Sequence, residues 1–255
     1  MNQNNTHLKQ NILNNYLKEK TNFKPIILFD VDGTLVDGSS LHIRAFYHAI
    51  KSVYGIVPSI DWKKVAGKTD LWILHDILIE NGVSEETYNS KVDLFTEEIS
   101  NFYKEHIKEE NYVHLLPGIK ILIEDLKNQS YLGLVTGNIE QIARLKLKKA
   151  GLDYEFQFGG FGNENFDRSV FMKNAIKKAI SLYNLNPDLA FLNSYYVADT
   201  PYDVEAARKA KVKSIIVLTG YNKKNKFKNY KPDLFINSFE SKEERYIFKQ
   251  FVGLI

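Results

Sequence analysis

Five short apolar runs, each stopped by a polar, turn-prone residue, limit most strongly what this chain can fold into. Residues 26–29 stop at Asp30, and 132–135 stop at Thr136-Gly137-Asn138. Residues 195–198 stop at Asp199, 214–218 at Thr219-Gly220, and 234–236 at Asn237. Near-continuous apolar runs fit strands buried on both faces of a parallel sheet. Between them, apolar residues recur three and four apart. Ile119, Leu122, Ile123 and Leu126 mark a helix over 118–128; Ile142 and Leu145, with Ala150 just after, mark one over 139–149. Residues 169–183 and 201–210 also read as helices. Strand–helix alternation predicts an α/β fold with a doubly wound parallel sheet. Such sheets bind ligands at the carboxyl ends of their strands. Asp30, Thr136 and Asp199 all fall at such ends.

The alternation breaks between residues 37 and 116. That stretch reads as helices over 40–53, 70–80 and 85–108, with Leu71, Leu74, Ile77 and Leu78 at amphipathic spacing. Loops at 54–58 and Asn81-Gly82 separate them, and Pro117-Gly118 returns the chain to the alternating pattern. Residues 25–36 and 117–255 therefore form an α/β core, and 37–116 a helical cap inserted after the first strand, placed to overhang the strand ends. Leu8, Ile12, Leu13, Tyr16 and Leu17 predict a helical extension over residues 1–24, laid on the domain surface.

Composition narrows the functional classes. A net charge of +3 over 255 residues gives no footprint for nucleic acid or an anionic membrane. With 44% hydrophobic and 25% charged residues, a sizeable soluble core is expected. There is no cysteine, which removes disulfides, thiol catalysis and cysteine-bound zinc, and suits a reducing cytoplasm. No apolar run approaches the roughly 20 residues of a membrane helix, and residues 1–24 lack the apolar segment of a signal peptide.

Three motifs carry chemistry: D-V-D-G-T at 30–34, V-T-G-N at 135–138, and V-A-D-T-P-Y-D at 197–203. In this order they resemble the haloacid-dehalogenase-like hydrolases, most of which are magnesium-dependent phosphatases. The helical insertion after the first motif resembles the cap of the phosphoglycolate-phosphatase-like and β-phosphoglucomutase-like branch. The resemblance implies a Rossmann-like core and the following roles. Asp30 is the nucleophile, a carboxylate that attacks phosphorus and splits one difficult step into two. Asp32 protonates the leaving oxygen and later activates water, its pKa raised by its neighbour. Gly33 lets the chain turn beside the phosphate, and Thr34 fixes the loop by hydrogen bonding. Mg²⁺ takes the Asp30 carboxylate, the Asp32 backbone carbonyl and Asp199, with Asp203 in support. Asp199 and Asp203 also have an ordinary reading, as N-terminal caps near Pro201.

Thr136, with the backbone of Gly137 and Asn138, matches the element that holds a phosphoryl oxygen. Alternatively, Thr136 merely ends a strand and Asn138 caps the next helix. A cation must balance the phosphoryl charge. Arg168, just before the helix at 169, is the first candidate and Lys173 the second; the common Lys-Pro form is absent, and Lys177 and Lys178 read as a solvated face. In the cap, Lys68, Thr69 and Asp70 resemble a loop that contacts the substrate's non-phosphate part, although Thr69 or Asp70 can equally cap the helix beginning at Leu71.

Other motif readings fail. Ala66-Gly67-Lys68-Thr69 lacks the upstream glycine of a P-loop, Trp62 standing in its place. Residues 30–34 have glycine at the fourth, not the sixth, EF-hand position, and Leu41 where the bidentate Glu belongs. The six histidines form no HExxH pattern; His42, near the entry to the cap, is the one of interest. The lysines of 223–228 read as a solvated loop. The sequence thus points to a phosphatase of a small phosphoester. A phosphomutase of the β-phosphoglucomutase type shares the whole site, and a non-catalytic binding module on the same fold is the third reading. A dehalogenase is disfavoured by the presence of Asp32. Neither the substrate nor the oligomeric state is legible.

Overall fold

The computed structural model describes residues 23–37, 40–65, 67–108, 113–152, 154–220 and 223–255. Of the helical extension expected over 1–24, residues 1–22 lie outside them, and residues 23 and 24 are not helical. Residues 26–29 form strand β1 (Ile26–Phe29), buried along its whole length. It lies between β2 (Tyr131–Thr136) and β4 (Ser194–Ala198), in a six-stranded sheet of order β3-β2-β1-β4-β5-β6. The outer strands are β3 (Phe158–Phe161), β5 (Lys213–Val217) and β6 (Leu234–Ile236), and every pairing is parallel. The chain steps from β1 outward to β2 on one side and to β4 on the other. That reversal opens a crevice at the carboxyl ends of the central strands. Phe29 pairs in register with both Leu134 and Val197, so the residues following β1, β2 and β4 emerge together.

Successive side chains of a strand point to opposite faces, and both faces are covered. Ile27, Phe29, Leu134 and Val197 pack with α5 (Ile119–Leu126), α6 (Glu140–Ala150) and α10 (Lys242–Phe251). Ile26, Leu28, Tyr196 and Ala198 pack with α7 (Arg168–Tyr183), α8 (Pro187–Leu192) and α9 (Pro201–Ala210). Burial on both faces explains why these strands read as unbroken apolar runs. Strand β3 gave no such signal because its sequence is Phe-Gly-Gly-Phe. The glycines serve packing: a Cβ at Gly160 would lie 2.1 Å from the Phe171 carbonyl of α7.

The inserted segment holds α1 (Ser40–Tyr54), α2 (Trp62–Val65), α3 (Asp70–Glu80) and α4 (Glu85–His106). They enclose a third cluster around Phe46, Leu74, Leu78, Phe95, Ile99 and Tyr103. Ile139 and Ile142, at the start of α6, belong to that cluster. The insert therefore rests on the helix that follows the second motif. Among the described residues no helix is long and apolar enough to cross a membrane.

Candidate active site

The Asp30 N–H donates to the Val197 carbonyl at 2.9 Å, which carries the pairing of β1 with β4 one residue beyond β1. Two carboxylates, Asp30 and Asp199, are thereby set side by side. With Asp203 from the first turn of α9, they each place one oxygen within 4.8 Å of the others, and all three are buried. Arg168, the first residue of α7, meets them. Its Nη1 is 2.5 Å from Asp203 Oδ1, 2.8 Å from the Tyr196 hydroxyl and 3.3 Å from Asp30 Oδ2. Of the two candidate cations, Arg168 is the one brought to the carboxylates; Lys177 and Lys178 are exposed on α7.

Three carboxylates against one guanidinium leave negative charge in excess, away from water. Burial pushes the Asp30 carboxyl up to about 6, Arg168 pulling it down and Asp203 pushing it further up. Burial, then Asp30 and Asp203, drive Asp199 well above the ordinary carboxylate range. Such a surplus of hard oxygen donors fits a Mg²⁺ ion, which prefers one or two carboxylates. The oxygens of Asp203 are already occupied. Oδ2 accepts from the Thr200 N–H at 3.0 Å and its hydroxyl at 2.5 Å; Oδ1 accepts from Arg168 and from the Tyr196 hydroxyl. Thr200 and Asp203 form a capping box on α9, with Pro201 in the first turn. The capping alternative thus describes Asp203. Asp199 instead sits against glycines: a Cβ at Gly33 (φ +74°) would lie 2.6 Å from its Oδ2, and one at Gly220 1.9 Å. Among the described residues no histidine joins a cluster of metal-ligand type.

Asp32 is engaged elsewhere. Its carboxylate accepts from Lys146 Nζ at 2.6 and 2.8 Å and from Asn138 Nδ2 at 2.7 Å. Burial favours its protonated form, but Lys146, then His42, outweigh this and hold its pKa below the ordinary value. The expectation that a neighbour raises Asp32 is therefore reversed; the raised groups are Asp30 and Asp199. The cause is Lys146, which the sequence reading passed over. It lies on the buried stripe of α6 with Ile142, Ala143 and Leu147, whereas Leu145, expected there, is only half-buried. A lysine four residues after Ile142, on the apolar stripe, was the available signal.

The remaining residues fall as follows. Thr136 is fully buried, its hydroxyl accepting from the Asn138 N–H at 3.3 Å and from Asn138 Nδ2 at 3.0 Å, and it helps hold the Asp30 pKa down. Asn138 does not cap α6: its amide bridges Asp32, Thr136 and Lys146. The capping comes from outside, the Ile139 N–H donating to Asp70 Oδ2 at 2.9 Å and the Glu140 N–H to Asn163 Oδ1 at 3.1 Å. Thr34 does not fix the first loop, because its buried hydroxyl has no partner. Backbone bonds do, Gly33 N–H to Val36 O at 2.9 Å and Leu35 N–H to Val31 O at 2.9 Å, with the Thr219 side-chain hydroxyl donating to Gly33 O at 3.1 Å.

The insert reaches the site through residues 67–70. Gly67 O accepts from Arg168 Nη2 at 3.2 Å, and the Asp70 N–H donates to Gly137 O at 2.9 Å. Gly137 permits this approach, since a Cβ there would lie 2.7 Å from Lys68 O. The Thr69 hydroxyl caps α3, accepting from the Trp72 N–H at 3.2 Å. The Lys68 ammonium turns to Asp76 at 2.7 Å and lies over the Trp72 ring. A cavity of about 590 Å³ remains between core and insert. Asp30, Asp32, Thr136, Arg168 and Asp199 form one wall; His42, Ile43, Trp62, Val65 and Ile73 form the other.

A doubly wound sheet with buried carboxylates at its central strand ends, under a helical insert, defines a class of hydrolase. The chain belongs to the haloacid dehalogenase-like hydrolase family, matching it over residues 27–217. It is similar to pyrophosphatase PpaX of Bacillus cereus (strain Q1), 25% identical over 215 residues that span 83% of this chain and 91% of that one. Among solved structures it is similar to β-phosphoglucomutase from Clostridium difficile (TM-score 0.67, 23% identity, 91% of this chain and 98% of that one). CbbY from Rhodobacter sphaeroides, in complex with phosphate, has a TM-score of 0.64 at 18% identity, over 86% and 96% of the two chains. The two structures share the fold.

Proposed function

We propose that the protein is a Mg²⁺-dependent phosphatase that transfers the phosphoryl group of a small phosphorylated molecule to water through Asp30. The observation that carries this reading is the buried set of Asp30, Asp199 and Asp203 around Arg168, beside Thr136. The pyrophosphatase relative adds phosphoanhydrides to the candidate substrates.

In the first half-reaction an Asp30 oxygen attacks phosphorus, the bond to the leaving oxygen breaks, and that oxygen takes a proton from Asp32. In the second, Asp32 takes a proton from water, the water oxygen attacks phosphorus, and the bond to Asp30 breaks. Asp32 rests as a carboxylate; an incoming phosphoryl dianion beside it raises its proton affinity, so it takes up a proton from solvent as the substrate binds, donates it in the first half-reaction and regains one from water in the second. Thr136 and the N–H groups of Gly137 and Asn138 hold a phosphoryl oxygen, and Arg168 balances its charge. Asp30, Asp199 and the Asp32 carbonyl would hold Mg²⁺, which would supply electrostatic stabilisation of the transferring group. Asp203 supports the set through Arg168 and Thr200. Residues 37–116 act as a cap that excludes water, and His42, Trp62, Val65 and Ile73 face the rest of the substrate.

The test is phosphate release from a panel of sugar phosphates, phosphoglycolate, nucleotides and pyrophosphate, with and without Mg²⁺, for wild type and Asp30→Asn. Mg²⁺-dependent release lost in the variant is expected. Release that survives Asp30→Asn defeats the reading; bisphosphate-dependent sugar-phosphate isomerisation in place of release assigns a mutase.

A further inference from the structure

Lys146 has an environment unlike that of any surface lysine. Its side chain is 1% exposed on the core-facing stripe of α6. A buried ammonium is costly unless its charge and donors are all met. Here they are met by three side chains: Asp32 at 2.6 Å, Asn138 Oδ1 at 2.7 Å and His42 Nδ1 at 3.1 Å. The three come from the loop after β1, the loop after β2 and helix α1 of the insert. Lysine only donates, so His42 Nδ1 is the accepting nitrogen, while Nε2 lies 3.2 Å from Asp70 Oδ2 without the alignment of a hydrogen bond. Asn138 also donates to Asp32 Oδ2 at 2.7 Å. The Asp32 carboxylate is thus gripped by an ammonium and an amide that are themselves bonded to each other.

We propose that Lys146 is the positioning residue of the second aspartate: with Asn138 it holds the Asp32 carboxylate where it meets the leaving oxygen, and His42 of the insert completes its shell. This rests on the phosphoryl-transfer reading above. The proton that reaches the leaving oxygen comes from Asp32 as the bond from Asp30 to phosphorus forms and the bond to the leaving oxygen breaks. Lys146 keeps its own protons throughout. A lysine that merely filled the core would serve every substrate alike, whereas one that positions the acid matters most where the leaving group needs a proton.

The test compares wild type, Lys146→Met and Lys146→Arg on phenyl, 4-nitrophenyl and 2,4-dinitrophenyl phosphate. Here kcat/KM reports the step in which the leaving group departs. Lys146→Met is expected to lose about 100-fold on phenyl phosphate, the scale of a misplaced proton donor. On the dinitrophenyl ester, whose leaving group needs no proton, it should lose under about threefold. Lys146→Arg, which keeps the charge, should recover most of the deficit. An equal loss across the series, or none, overturns the proposal. Asp30→Asn, run beside them, reports on the underlying reading separately: turnover retained there defeats phosphoryl transfer through Asp30. A crystal structure of Lys146→Met gives a readout independent of turnover. Asp32 is expected to leave Asn138 Nδ2; an unmoved Asp32 overturns the proposal.

Discussion

Arg168 lies closer to Asp203 than to Asp30, with Nη1 2.5 Å from the first and 3.3 Å from the second. The buried acid of α9 therefore holds the arginine, and the arginine only then reaches Asp30. Asp203→Asn keeps the shape but removes the charge. Breaking a buried pair on one side costs roughly 3–5 kcal/mol, so urea unfolding should show a loss on that scale. Mg²⁺ affinity should separate the acids by calorimetry. Asp203→Asn should weaken it by about 10–100-fold, as for a group that acts behind the ligands, whereas Asp199→Asn should abolish measurable binding. Equal losses would make Asp203 a direct ligand.

Without metal, the carboxylates should make the fold less stable as pH rises. Asp30 has its pKa at about 6 in the fold against 3.8 as the ordinary value. Between those values the folded state binds more protons than the unfolded chain, so stability falls with increasing pH across that window. Asp199, also raised, acts in the same direction. Asp32, lowered, loses its stabilising contribution only as pH falls below its ordinary value, outside this window. Asp30→Asn should therefore melt near wild type at pH 4 and above it at pH 7, and Mg²⁺ should remove the advantage. A variant less stable than wild type at pH 7 would contradict this account.

The sheet was legible because buried parallel strands leave unbroken apolar runs, and Asp30, Thr136 and Asp199 could be placed from the residues that end those runs. The family assignment followed from the same three motifs. What could not be read came from partners distant in sequence. Asp32 took its proton affinity from Lys146, 114 positions away, and Asn138 lost its capping role to Asp70 of the insert. The glycines at 159 and 160 hid β3 because they answer to close packing, Gly159 against the Phe161 ring and Gly160 against Phe171 of α7, not to strand preference. Local patterns report local burial; the charge environment of a site is set where separate segments meet.

Gly137 is a point of close approach between core and insert. A Cβ there would lie 2.7 Å from Lys68 O and 2.8 Å from Arg168 Nη2. Gly137→Ala should push the 67–70 loop away from the strand ends and strain the core by roughly 1–3 kcal/mol, the range for overpacking. Turnover should fall more than stability suggests, because Gly67 O and Asp70 N–H bond to Arg168 and Gly137 across the same gap. Steady-state kinetics beside a thermal melt would show it; wild-type kinetics would mean that the loop need not stay so close.

Asp70 joins the insert to the core by capping a helix it does not belong to. Its Oδ2 accepts the Ile139 N–H at the start of α6, where no local side chain caps, and faces His42 Nε2 at 3.2 Å. Removing an N-terminal cap costs about 0.5–2 kcal/mol, and a carboxylate there gains a further 0.3–1 kcal/mol or so from the helix dipole. Asp70→Ala should therefore lose on the order of 1–2 kcal/mol in urea unfolding. Asp70→Asn, which keeps an acceptor but not the charge, should lose less. Hydrogen exchange at the Ile139 amide gives the site-specific check: faster exchange in Asp70→Ala than in Asp70→Asn is expected. Equal protection in both would mean that the insert rests on α6 through Ile139 and Ile142 alone, and that the polar contact adds nothing.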